Sequence, residues 1–310
     1  MACGRQVLDF WLDMTPAPEP TAGEVRVAVR AIGINPMDVK IRNGSLKDQM
    51  PTDFPVVLGS DVAGVVDKVG PGVDGLAEGD RVAGLSASGA YAEYAVARED
   101  HLATIPDGLD FDRAATIPTA AETAGRVIRL LHPKAGETVV VNGAAGSVGS
   151  AAVQLLVRSG VTVIGTASEA NHDYLRRLGA TPTTYGDGVE DRIRELAPNG
   201  VDAVFDVTGQ DFIDAAIALR GGTDRVVTIS DFPAAQRGVT VSYGVADQIR
   251  GTDFGYVLDL AASGEFATEI ARTFPFEDLP AAHDLSETGH LRARSSSTAR
   301  ARRRRRHGRG

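Results

Sequence analysis

A chain of 310 residues that is 43% apolar and 24% charged is an ordinary globular chain of about two domains. Its single cysteine, Cys3, excludes an internal disulfide framework and any cysteine-rich zinc cluster, and fits a reducing, cytoplasmic setting. The formal net charge of −9 argues against general nucleic-acid affinity, but nine arginines and no acid fall within residues 292–310, leaving 23 basic against 41 acidic side chains elsewhere.

The opening stretch, MACGRQVLDFWLDM, interrupts its apolar residues with Arg5, Asp9 and Asp13, so it does not read as a secretory signal. From Val25 to about Val96 come short β-rich runs, VRVAVRAIGI, DVAGVVDKV, DRVAGL and GAYAEYAVA, punctuated by PVVLGS, GPGVDG and EGD. They predict a compact β domain with glycine turns. The uncharged stretch Thr138–Val157 has the length of a membrane span, but its three glycines and its Asn142, Ser147, Ser150 and Gln154 break it into a strand and a helix. Further apolar runs follow in VTVIGTA, ATPTTYG, DAVFDVTG, DRVVTISD and VTVSYG, most separated by helix-length segments such as NHDYLRRLGA and DGVEDRIRELAPNG. Strand and helix alternating over roughly a hundred residues predict an α/β fold with a doubly wound parallel sheet.

The most informative motif is VVVNGAAGSVGSAAVQLLV. After the strand Val139–Val141, Gly143, Gly146 and Gly149 fall three residues apart at a strand-to-helix turn, and the next helix is expected to present Val148, Ala152 and Leu155 on one side. A glycine at 146 lets the main chain come close to a pyrophosphate, one at 149 lets the helix pack on the strand, and free N–H groups at the helix start attract the anion. Gly143, Ala145, Gly146, Ser147, Val148 and Gly149 are therefore candidate cofactor-binding residues; the plainer alternative is a tight turn that binds nothing. At the tip of the second strand an acidic residue would hold the ribose hydroxyls of NAD and repel a phosphate. That point here is Thr166-Ala167-Ser168, without an acid; Ser168 and Asn171 can hydrogen-bond a 2′-phosphate, with Arg176 nearby, while Glu169 argues the other way. The balance favours NADP(H) over NAD(H).

The segments AIGINPMDVKIRNG (31–44), PVVLGSDVAGVV (55–66), EGDRV (78–82), GAYAEYAV (89–96), IPTAAETA (117–124) and NGAAGSVG (142–149) resemble, in this order, the medium-chain dehydrogenase/reductase superfamily and its zinc-free quinone oxidoreductase branch, from about residue 18 to 292. The resemblance implies a GroES-like β domain that is substrate-binding and catalytic, with a Rossmann domain inserted into it: 1–118 GroES-like, 119–255 Rossmann and NADP-binding, 256–292 a return to the first domain, and 293–310 a disordered arginine-rich tail. The positions matching the catalytic zinc ligands of relatives are Asn35 and Ser60-Asp61, with no cysteine nearby, so that metal cannot be built in the relatives' way. Without a Lewis acid, alcohol oxidation is disfavoured, and reduction of quinones or α,β-unsaturated carbonyls fits better. A Tyr-x-x-x-Lys pair, which a different Rossmann reductase class requires, is absent.

Family resemblance assigns further contacts, each with a duller counterpart. Asn35 would lie by the nicotinamide and substrate, or merely cap a turn before Pro36. Thr123 would touch the nicotinamide-side phosphate or ribose, or sit near a helix start. Tyr185 would stack near the adenosine phosphate, or lid the core. Thr208, Ile229 and Ser230 lie where sheet strands end, the ligand edge of open α/β folds. Tyr91 would donate to substrate oxygen, or pack within a strand. The resemblance also makes VTVSYG a dimerising edge strand, giving a homodimer.

Both ends depart from the family pattern. Only MACGRQ precedes VLDF, so a first β-strand is expected to be missing. After Gly289-His290-Leu291-Arg292 the chain reads ARSSSTARARRRRRHGRG, which has little to bury and is expected to be disordered. Its arginine run suits nucleic acid or an anionic surface, but the loss of pattern, with 28 Arg against four Lys in the chain, favours a reading-frame or gene-end accident. The sequence thus points to a zinc-independent NADPH reductase acting on a small apolar carbonyl or quinone. Its rival is a catalytically weak NADPH-binding protein with a regulatory or RNA-contacting role.

Overall fold

The computed structural model describes residues 15–209, 211–244, 251–267, 269–288 and 294–298. The chain divides into two compact units, one formed by residues 1–118 and 268–310 and the other by 119–267.

Unit 1 is built around β1 (Glu24–Ile34), whose buried residues alternate along Val25, Val27 and Val29 as a strand with one face in a core demands. It pairs antiparallel with β2 (Asp61–Val69), which continues through β3 (Arg81–Leu85) to β5 (Leu102–Thr104). The amino-terminal half of β1 pairs with β4 (Tyr94–Arg98), and its carboxyl-terminal half with β13 (Arg294–Thr298), which lies parallel to β12 (Ile270–Pro275). Val27, Ile32, Val62, Val66, Val82 and Phe274 close the core. Among the described residues, the α-helices that accompany this sheet are α1 (Pro36–Arg42), α2 (Phe111–Ala115), capped by the Asp110 carboxylate accepting from the Arg113 amide, and α9 (Leu279–Glu287).

Unit 2 is a six-stranded, wholly parallel sheet of order β11-β10-β9-β6-β7-β8. The strands are β6 (Thr138–Asn142), β7 (Thr162–Thr166), β8 (Thr181–Thr183), β9 (Ala203–Asp206), β10 (Val226–Thr228) and β11 (Thr240–Val241). The helices are α3 (Pro118–Leu131), α4 (Ser147–Arg158), α5 (His172–Arg177), α6 (Val189–Leu196), α7 (Ile213–Arg220) and α8 (Gly251–Ala262). Val139, Val140, Val141, Val204 and Phe205 are fully buried, which is why β6 and β9 read as unbroken apolar runs rather than alternating ones. The strand order reverses at β6, which has β7 on one side and β9 on the other.

Four sequence expectations need correction. Residues 294–298 do not lack structure: strand pairing uses backbone groups, and Ala31–Ile34 of β1 stand opposite Thr298–Ser295, so a serine-rich segment can complete a sheet without apolar side chains. The return to unit 1 falls after residue 267 rather than 255. It is α8 that carries the chain past 255, and the following residues stay with α4, where Arg158 bonds Tyr256 Oη (2.8 Å) and Glu265 (2.7 Å) and the Ala267 amide donates to Gln154 (2.7 Å). In GAYAEYAV the strand begins only at Tyr94. The inward face of α4 is Gly149, Ala152, Val153 and Leu156, with Val148 and Leu155 only half-buried. The expected missing first strand and residues 299–310 lie outside the described residues.

Candidate functional site

The turn between β6 and α4 shows which of its glycines the fold itself requires. Gly143 has φ +80°, and a Cβ there would lie 2.4 Å from the Thr208 methyl carbon. At Gly149 a Cβ would sit 2.2 Å from the Gly143 carbonyl oxygen and 2.8 Å from Ala144 Cα, so only glycine lets helix and strand meet. Gly146 is different. Its φ of −73° and ψ of 172° suit any residue, and a Cβ would find only the Gly143 oxygen at 3.5 Å, an ordinary contact. No side chain caps α4, and the amides of Ser147, Val148 and Gly149 have no acceptor within the helix. Open amides at the positive end of a twelve-residue helix, beside a glycine the fold does not need, fit a diphosphate.

Beneath this turn lies a buried polar network made from the last residues of four neighbouring strands. Asp206 Oδ1 accepts from Asn142 Nδ2 (2.8 Å) and from the Gly209 (3.0 Å) and Thr208 (3.3 Å) amides, and Asp206 Oδ2 accepts from Thr228 Oγ1 (2.7 Å). Asn142 Nδ2 also reaches Thr208 Oγ1 at 3.0 Å, while Asn142 Oδ1 accepts from Thr166 Oγ1 at 2.5 Å. Thr166 Oγ1 in turn accepts from the Gly143 amide at 3.0 Å, and Thr228 Oγ1 from the Ser230 and Asp231 amides at 3.2 and 3.1 Å. Burial pushes the Asp206 carboxyl above the ordinary range, against the pull of its donors.

Past β7, Asn171 Nδ2 donates to Ser168 Oγ at 3.2 Å, while Asn171 Oδ1 and His172 Nε2 are buried without partners. Arg176 pairs instead with Asp173 at 2.7 Å, both exposed, so it does not complete this group. Tyr185 is 53% exposed and does not lid the core; its loop is tied by Arg192, which donates to the carbonyls of Thr184 and Asp187. Thr208 is exposed, Ile229 and Ser230 are half-buried, and all three follow strand ends. Thr123 lies in the second turn of α3, away from the helix start, with its hydroxyl on Glu122 (3.3 Å); Glu122 is in a buried ion pair with Arg126 (2.8 Å).

In unit 1, Asn35 is the N-cap residue of α1 and is almost wholly buried. Its amide N–H donates to Asp38 Oδ2 (2.8 Å) and its Nδ2 to Asp61 Oδ2 (3.0 Å). The Tyr91 hydroxyl donates to Asp38 Oδ2 (3.1 Å) and meets His283 Nε2 (2.9 Å). Burial, then the Arg42 guanidinium, bring the His283 pKa down to about 3, so the imidazole is neutral. With Tyr91 donating to the carboxylate, His283 Nε2 carries its proton and donates to Tyr91 Oη. Burial, followed by Asp38, raises the Tyr91 hydroxyl well above its usual range. Among the described residues, no three His, Cys, Asp or Glu side chains are grouped to hold a metal ion.

Asn142, Asp206, Asp38 and His283 were not singled out as site residues. The first two had a signal in the sequence: each ends an apolar run, TVVVN and AVFD, on a polar residue.

Two family models match the chain: "Alcohol dehydrogenase GroES-like domain" over residues 21–107 and "Zinc-binding dehydrogenase" over 147–265. Over 250 residues the chain is 40% identical to the pikromycin polyketide synthase component PikAII of Streptomyces venezuelae, covering 78% of this chain and 6% of that protein. It spans only 3% to 10% of the length of this and three other polyketide synthases it matches. It is 34% identical over 237 residues to the quinone oxidoreductase of Sus scrofa, covering 73% of this chain and 70% of that one. The structure of Escherichia coli quinone oxidoreductase complexed with NADPH superposes with a TM-score of 0.81 at 26% identity, covering 93% and 94% of the two chains.

Proposed function

The chain belongs to the medium-chain dehydrogenase/reductase superfamily, in its quinone-oxidoreductase-like branch, and on that footing we propose that it is an NADPH-dependent, zinc-independent reductase of quinones or α,β-unsaturated carbonyls. The observation that carries the proposal is the uncapped start of α4 beside Gly146, where the backbone leaves room for a ligand to approach the open amides. NADPH, when bound, supplies the hydride.

The residues of this chain then divide the work. The amides of Ser147, Val148 and Gly149 bind the diphosphate, with Gly143, Ala145 and Gly146 shaping the approach. Ser168 and Asn171 take the 2′-phosphate, where the strand tip Thr166-Ala167-Ser168 offers no carboxylate to repel it. Tyr185 stacks at the adenosine end. Thr123, Thr208, Ile229 and Ser230 serve the nicotinamide half. Asn35 acts at the reacting end, and Tyr91 acts beside it, its hydroxyl donating to the Asp38 carboxylate and so holding that group in place. Zinc independence is supported by what stands at the corresponding ligand positions: the Asn35 amide and Asp61 carboxylate bond each other. The NADPH complex of the Escherichia coli relative and the name of the pig relative favour the same cofactor and acceptor class. The reading places the protein in the cytoplasm as a homodimer joined through β11, an edge of the unit 2 sheet. No helix among the described residues is long and apolar enough to cross a membrane.

Steady-state NADPH oxidation with a panel of quinones and enals tests this. We expect turnover with NADPH well above that with NADH, unchanged after exhaustive chelation. Tight NADPH binding without turnover on any acceptor refutes the enzymatic reading, and activity lost on chelation refutes zinc independence.

A further inference from the structure

We propose that Asp206 is a positioning residue for the dinucleotide, acting through Asn142 and Thr166 on one side and Thr228 on the other; the inference rests on the dinucleotide reading above. A carboxylate accepts hydrogen bonds only, and that one-way character sets the direction of every bond in the network. Because Asp206 Oδ1 takes Asn142 Nδ2, the Asn142 amide is fixed with its Oδ1 toward Thr166. The Thr166 hydroxyl must then spend its proton on Asn142 and present a lone pair to the Gly143 N–H. On the other side, Thr228 spends its proton on Asp206 Oδ2 and presents lone pairs to the Ser230 and Asp231 amides. Asn142 Nδ2 also holds Thr208, whose methyl group faces Gly143.

Both arms therefore end on main-chain amides, at the first residue of the glycine turn and in the loop after β10. Gly143, Thr166, Thr208 and Ser230, reached by separate strands, are aligned by one carboxylate. A fully buried acid is a poor choice for stability alone, because an apolar side chain avoids its desolvation. Its position under the turn has a purpose if the turn must stay in one shape while a highly charged diphosphate enters and leaves.

The test compares NADPH with adenosine 2′-monophosphate, which carries the 2′-phosphate but no diphosphate bridge. Affinities are measured for the wild type and for Thr166→Val, Thr166→Ser and Asp206→Ala, by NADPH fluorescence titration and by calorimetry. Thr166→Val breaks the chain without touching charge. We expect it to weaken NADPH at least about tenfold, with adenosine 2′-monophosphate unchanged and Thr166→Ser restoring NADPH affinity. Asp206→Ala should weaken NADPH at least as much; should it fail to fold, the two Thr166 variants decide. Wild-type NADPH affinity in Thr166→Val overturns the proposal, as does parallel loss of both ligands, which marks a merely structural role. If the wild type binds neither NADPH nor NADH, the dinucleotide reading itself fails and takes this inference with it.

Discussion

The polar clusters of the two units follow opposite plans. In unit 1, Asn35, Asp38, Asp61 and His283 are buried and Tyr91 half-buried, and side-chain bonds tie Asn35 to Asp61, and Asp38 through Tyr91 to His283, with the Asn35 main-chain N–H joining the two groups. In unit 2 a comparable side-chain network lies below the surface, and what it leaves open above is main chain, the amides at the start of α4. Main-chain recognition tolerates many side chains but no extra Cβ, whereas a side-chain cluster tolerates backbone drift but no loss of a partner. The units should accordingly break under different insults.

The largest expected effect is in unit 1. Removing residues 293–310 takes β13 from between β12 and β1, which strips Ala31–Ile34 of their partners on that edge, leaves Ala31–Gly33 paired with β2 alone, and costs several kcal/mol. Limited proteolysis read by mass spectrometry should show rapid cleavage within residues 15–118 while 119–267 survive. A chain ending at residue 298 should digest as the full chain does; equal resistance of both truncations would show β13 to be dispensable.

Next comes unit 2, through Gly149→Ala. The added methyl meets backbone atoms that cannot rotate away, so a loss of about 3 kcal/mol is expected, with NADPH binding abolished. A thermal midpoint within a degree of the wild type would mean the helix and strand can separate freely.

Acid distinguishes the units more gently. The folded His283 pKa of about 3 lies below its unfolded value, so the unfolded chain binds the extra proton. Stability from this group is complete above about pH 6.5 and falls by up to about 1.4 kcal/mol per pH unit as the pH drops toward 3. In unit 2, Glu137 is held down to about 2 by hydrogen bonds from Arg225 and the Lys134 amide, so its contribution starts to fail only as the pH drops below the ordinary glutamate range. Urea midpoints between pH 6.5 and 5 should therefore decline for unit 1 first, and His283→Gln should flatten that decline. A slope unaffected by the substitution would remove His283 as its cause.

Legibility in the sequence follows the same division. The glycine turn could be read because backbone recognition writes itself as a short motif, and the unit 2 strands because buried parallel strands are unbroken apolar runs. The network under the turn could not. Asn142, Thr166, Asp206 and Thr228 end four strands spread over 87 residues, and only the strand order makes them neighbours. Tyr91 and His283, 192 positions apart, meet only because the chain returns to unit 1. The strand β13 was hidden for another reason: Arg294–Thr298 carries no strand signal in its side chains, and the pairing is made by the backbone.

The smallest expected effect on stability is the most telling for function. Gly146→Ala adds the same methyl group as Gly149→Ala, three residues earlier in the same turn. Its backbone angles are open to alanine and its only neighbour stands at 3.5 Å, so the thermal stability of unit 2 should change by less than about 1 kcal/mol. The methyl would nonetheless stand where a diphosphate must approach the helix amides, and NADPH affinity should fall about tenfold or more. The comparison separates what the fold needs from what the ligand needs, since Gly149→Ala damages both and Gly146→Ala only the second. Unchanged NADPH titration in a stably folded Gly146→Ala protein would place the diphosphate elsewhere.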